Sequence, residues 1–173
     1  MIELLRARRS IRKYQRKSID WDKIEILKEA LLRSPSSRNI NPWEFIFVDE
    51  RQLLVKLSEA KEYGSEFLKD AALGIIICAN ETKSDVWIED CSIAAILVQL
   101  AAQSLGLGSC WIQIRNRHNI SGITSEQYIQ QLMGIPENIR VECIVALGYL
   151  AEKKRGIPAN QLNQTKIRQN SWT

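Results

Sequence analysis

Ser34-Pro35-Ser36-Ser37-Arg38-Asn39-Ile40-Asn41-Pro42-Trp43-Glu44-Phe45 is the stretch from which the fold is read. Small hydroxyls, amides and two prolines make it a turn-forming segment, stiff enough to line a ligand. On its N-terminal side, Asp20 caps a helix whose Ile24, Leu27 and Leu31 share one face. On its C-terminal side, Phe45-Ile46-Phe47-Val48 has the β-branched and aromatic content of a strand. The stretch is therefore a rigid connection from a helix into a sheet.

Further outward the alternation continues. Met1 to about Arg9 reads as a short amphipathic helix. Asp49 is placed to cap another, with Leu53, Leu54 and Leu57 inward, and Tyr63 to Lys69 is a further helical piece. Leu73 to Ala79 is a buried strand. Trp87 to Leu105 is a long helix, apolar nearly all round from Ile93 onward, which calls for cover on most sides. Gly106 and Gly108 end it, and Ser109 to Ile114 is the next strand. Thr124 and Gln127 have capping-box spacing for a helix running to Met133, and Val141 to Tyr149 is the last strand. After Leu150 the chain is polar and aperiodic, as expected of a tail that lies on another surface. The whole is one α+β domain over residues 1–173, with a sheet of about four strands packed by helices. The long apolar helix predicts a homodimer built around it.

Charge is segregated along the chain. Residues 1–17 hold seven Lys/Arg and one acid, and residues 153–173 hold five Lys/Arg and none. The span between them has 12 basic and 19 acidic side chains and is net −7. Charge runs are usually solvated faces. Here, however, Arg8-Arg9-Ser10-Ile11-Arg12-Lys13-Tyr14 is compact and sits between two helices. Guanidinium forks suit phosphate oxygens, so this segment predicts an anion grip. Lys166-Ile167-Arg168 in the tail is a second pair of cations.

Several chemistries find no residues. The chain has one histidine, His118, too few for a multi-histidine metal site, and no CxxC pair among its four cysteines. No phosphate-loop, dinucleotide or nucleophile-elbow string occurs. No run approaches a membrane span and no signal segment is visible, so the expected setting is cytoplasmic, with no membrane and no metal.

Four segments, in order, resemble the nitroreductase family of FMN-dependent oxidoreductases: Arg8–Tyr14, Ser34–Phe45, Leu105-Gly106-Leu107-Gly108-Ser109-Cys110-Trp111-Ile112, and Leu147-Gly148-Tyr149 ahead of a basic tail. The resemblance implies a nitroreductase-like sandwich around a mixed, mostly antiparallel sheet, with a C-terminal extension onto the partner. It implies FMN as cofactor, NAD(P)H as hydride donor to flavin N5, and a small-molecule electron acceptor such as a nitro compound or quinone. By position, Arg8, Arg9, Ser10 and Arg12 would hold the phosphate and the flavin's polar edge. Pro35, Ser36, Ser37 and Asn39 would reach it from the partner subunit. Gln113 and Ile114 would offer backbone groups near the reactive face, and Lys166 and Arg168 would close on the phosphate. No side-chain nucleophile is implied. Two features depart from the family pattern: Gln113-Ile114 stands where many members have a glycine-containing turn, and Gly64 and Phe67 replace an Asn and a Lys of larger members. The alternatives are a flavin-consuming or dehalogenating relative and, with colourless protein and steep salt dependence, a nucleic-acid-binding module.

Overall fold

The computed structural model describes residues 1–172. Its helices are α1 (Ile2–Ala7), α2 (Trp21–Leu32), α3 (Arg51–Ser58), α4 (Trp87–Ser104) and α5 (Ser125–Met133). Its strands are β1 (Trp43–Val48), β2 (Leu73–Asn80), β3 (Gly108–Gln113) and β4 (Ile139–Gly148). The expected helix at 63–69 is a short 3-10 turn, Glu66–Asp70.

The four strands form one sheet in the order β1-β2-β4-β3, and all three pairings are antiparallel. The mostly antiparallel sheet expected from the sequence is thus antiparallel in every ladder. The parallel element is a single bridge, Ser10 to Ser109, at the free edge of β3. Each face of the sheet carries a core. One is built on Leu73, Ile75, Ile77, Cys143, Val145 and Leu147 against α2 and α4. The other is built on Ile76, Cys78, Val141, Ile144 and Ala146 against α3 and α5. Strands buried on both faces read as continuous apolar runs rather than as alternation, as β2 and β4 do.

Capping follows local chemistry only in part. Thr124 and Gln127 form a reciprocal capping box on α5. Asp20 occupies the N-cap of α2 without bonding its backbone, because its carboxylate accepts the Tyr149 hydroxyl at 2.6 Å. Glu50, not Asp49, is the N-cap of α3.

Two glycines are fixed by close approach. A Cβ on Gly108 would lie 2.9 Å from Ile11, and one on Gly148 would lie 2.9 Å from the Tyr14 ring. Ile11 and Tyr14 can therefore press the N-terminal strap onto the β3–β4 edge only where no side chain stands.

Candidate functional site

The Arg8–Tyr14 strap is held by backbone and buried contacts, which leaves key charged groups free. Ile11 N–H donates to the Ser109 carbonyl at 2.9 Å. The buried Tyr14 hydroxyl donates to the Ile11 carbonyl at 2.6 Å. Glu152 accepts Arg12 N–H at 2.6 Å and Lys13 N–H at 3.3 Å, and ion-pairs Lys154 at 3.0 Å. Those donors hold its carboxyl below the usual carboxylate value, the Arg12 N–H most of all. Among the described residues, the Arg8 and Arg12 guanidiniums have no hydrogen-bond or ion-pair partner. Arg12 lies over the Phe67 ring, 5.7 Å from its centroid. The Arg9 guanidinium, in contrast, is spent on the Arg155 carbonyl.

Cys110 reports how these cations converge. Burial pushes its thiol above the ordinary cysteine value, while Arg12, the Ser10 hydroxyl, Lys154 and Arg8 all pull it back. Lys154 also donates to the Ser10 carbonyl at 2.7 Å. Two unspent guanidiniums, a lysine and a serine hydroxyl around one strand edge form a donor set that fits a phosphate. Lys61 lies near the same thiol and was missed in the sequence reading. Burial lowers its ammonium below the usual lysine value, Arg117 adds to that effect, and Glu66 opposes it. The adjoining segment is stitched across by Glu62 N–H donating to the His118 carbonyl at 3.1 Å.

The Ser34–Phe45 loop lies at the other end of the molecule's longest helix. Ser37 N–H donates to the Asp90 carboxylate at 2.9 Å, and Asp90 is buried in the first turn of α4. Ser36 is spent within the loop, its hydroxyl donating to the Asn41 side chain and accepting Asn41 N–H, both at 2.8 Å. Arg38, Asn39 and Asn41 have φ of 52°, 54° and 53°, a conformation that Asn tolerates better than most residues. Pro35 and Asn39 are exposed, and Arg38 is paired with Asp85.

Residues 8–12 sit where α4 ends and β3 begins, whereas residues 35–39 sit where α4 begins. Eighteen helical residues separate them by about 27 Å. One chain therefore does not bring its two motifs together. A two-fold partner packed antiparallel along α4 would do so. The outer line of α4 is apolar, with Ile93 39% and Ile96 40% exposed.

Gln113 ends β3, and Ile114 follows it. Ile114 is fully buried, and its N–H donates to the Glu142 carbonyl at 3.2 Å, so that group is already used. Gln113 accepts the Trp111 indole N–H at 2.9 Å and donates to the Arg115 carbonyl at 3.1 Å. Lys166 and Arg168 do not join the Arg8–Arg12 cluster within their own chain. Arg168 bonds the Thr165 and Trp172 carbonyls and stacks 5.5 Å from the Trp172 ring. Lys154 joins the cluster from the same end of the chain. Its signal was visible in the sequence, since Lys153-Lys154-Arg155 follows the last strand directly, whereas Lys166 lies a further 11 residues on.

An α+β sandwich with two guanidiniums, a lysine and a serine hydroxyl at its edge strand carries the donors that a phosphate-bearing cofactor needs. The comparisons place it more closely. The Nitroreductase family model matches residues 5–62 and 49–149, and the chain belongs to that family. An FMN-dependent nitroreductase from Clostridium difficile R20291 superimposes with a TM-score of 0.97 at 43% identity, covering 99% of this chain and all of that one. A protein of Archaeoglobus fulgidus, provisionally named an NADH dehydrogenase/NAD(P)H nitroreductase, is 36% identical over 99% of this chain and 98% of its own length. The NADPH:FMN oxidoreductase of Vibrio harveyi, solved with NAD+, shares the fold with a TM-score of 0.83 at 23% identity, covering 99% of this chain and 77% of that one.

Proposed function

We propose that this protein is an FMN-dependent NAD(P)H oxidoreductase acting as a homodimer, with each site assembled from both chains. The observation that carries this reading is the unspent Arg8 and Arg12 pair, with Lys154, about 27 Å along α4 from the loop at residues 35–39. A single phosphate-bearing cofactor needs the first group at one end and the second near its ring system, and only a partner chain supplies both. When bound, FMN supplies a two-electron carrier that takes hydride at N5 from NAD(P)H and passes it to an oxidised acceptor such as a nitro compound or quinone, in ping-pong order.

The chain's own residues bind and orient. Arg8, Arg12, Lys154 and the Ser10 hydroxyl neutralise the phosphate, and Lys61 adds charge beside them. Asn39 and Pro35 of one chain close over the site of the other. The exposed tail, with Ile157, Leu162, Ile167 and Trp172 uncovered, lies across the partner. There Lys166 and Arg168 can still serve the neighbouring site. No side chain is required as a nucleophile.

Anaerobic addition of NADH or NADPH to the purified protein should bleach a flavin spectrum, and a nitro compound or quinone should restore it. Denaturation should release FMN rather than FAD. Colourless protein that takes up no added FMN would refute the reading. Flavin consumed stoichiometrically instead of recycled would favour the flavin-consuming alternative.

A further inference from the structure

Glu142 is the least expected charge in the molecule. It lies in the middle of the sheet, on β4, and is 4% exposed. It is also the extra residue of a β-bulge. Ile77 pairs with Cys143 and Cys78 with Val141, which leaves Glu142 without a partner on β2. Bulges commonly re-aim a side chain beside a functional site. The Glu142 carbonyl accepts two N–H groups, Ile114 at 3.2 Å and Arg115 at 3.1 Å. The Gln113 side chain and the Arg115 cation both favour the ionised form of its carboxyl. Its Oε2 is buried without a hydrogen-bond partner among the described residues. A buried carboxylate oxygen left unpaired is costly, whereas a carboxylic acid there costs far less. One residue thus holds Ile114 and Arg115 by its carbonyl and places a buried carboxyl in the field of Arg115.

We propose that Glu142 is a positioning residue: it fixes the Gln113–Arg115 segment, and its protonation state sets how much of the Arg115 charge that segment presents to the bound flavin. The last clause rests on the FMN reading above. The surroundings agree. Burial raises the Glu142 carboxyl above the ordinary glutamate value. Glu126 from α5 and Glu89 from α4 act in the same direction. Arg115 and the Gln113 amide oppose them. The thiols of Cys91 on α4 and Cys143 on β4 face the same carboxyl and are themselves pushed up, mainly by burial. While Glu142 is protonated, Arg115 stays available to the site. Once the proton leaves, the carboxylate draws the guanidinium inward.

The test is a pH titration of the visible spectrum of the FMN-loaded protein. Wild type should show one proton-linked step with its midpoint above the ordinary glutamate range. Glu142→Gln, which keeps shape and hydrogen bonding, should abolish the step while changing FMN affinity less than about threefold. Arg115→Gln should abolish or strongly reduce it and does not depend on a core substitution folding. A step unchanged in either variant, or a wild-type spectrum that does not move with pH, would overturn the proposal and leave the FMN reading intact. A wild-type chain that binds no FMN would overturn both.

Discussion

Arg12 and Arg38 are both exposed guanidiniums next to a family motif, and only their surroundings tell them apart. Among the described residues Arg12 has no ion-pair partner, whereas Arg38 is paired with Asp85. Arg12→Ala should weaken FMN binding by the cost of a charged hydrogen bond, about 1.5–3 kcal/mol, or roughly ten- to a hundredfold. Arg38→Ala should change it little. Titrating both apoproteins with FMN checks this, and equal affinities would count against the alignment of the arginine motif. Lys154→Met should likewise lower affinity more than Lys166→Met. The reverse order would return the phosphate grip to the tail. Glu152 gives a prediction with a definite sign. Its folded-state value is lowered, mainly by the Arg12 N–H, so its stabilisation is complete above the unfolded value of about 4.3 and is lost as pH falls through the folded value. Glu152→Gln should therefore melt lower than wild type near neutrality, and the gap should close in acid. A gap that stays constant with pH would show that the Arg12–Glu152 contact does not titrate.

Elements explain why the site exists at that edge. The strap over residues 8–14 is seated by Gly108 and Gly148, each of which would place a Cβ 2.9 Å from Ile11 or Tyr14. Gly108→Ala should cost about 1–3 kcal/mol through overpacking and lower FMN affinity as well, since lifting the strap displaces Arg8 and Arg12 together. Thermal unfolding and FMN titration of the same variant test both halves, and an unaltered FMN affinity would separate the strap from the site. This seating was half legible in sequence. Gly108 was visible as the end of a helix and Gly148 as part of the last strand, but what they receive depends on long-range contact with Ile11 and Tyr14. Local signals were read well where chemistry is local, as with the Thr124–Gln127 box. They failed where a side chain is taken by tertiary structure: Asp20 leaves its helix for Tyr149, and Lys154 reaches back to the Ser10 carbonyl. Glu142 carried no signal, since a single acid in an apolar run does not reveal a bulge.

At the scale of the molecule, everything turns on α4. It covers the sheet on one side, and its outer line leaves Ile93 and Ile96 two-fifths exposed. In an isologous pair each of these residues would meet the partner near the axis, so one substitution acts twice. Ile96→Glu should dissociate the dimer and release FMN together, although it touches no proposed cofactor residue. A monomeric variant that keeps full flavin content would show that one chain suffices. Deleting residues 160–173 should leave the sheet folded, because every described residue from 157 onward is exposed and none belongs to either core. It should lower flavin occupancy only partially. Sedimentation velocity of the purified protein, followed at the protein and flavin absorption bands together, tests whether the flavin is shared between two chains. FMN should co-migrate with a species of twice the 19.9 kDa chain mass, at one flavin per chain. Flavin travelling with a single 19.9 kDa chain, or a dimer that carries none, would contradict it.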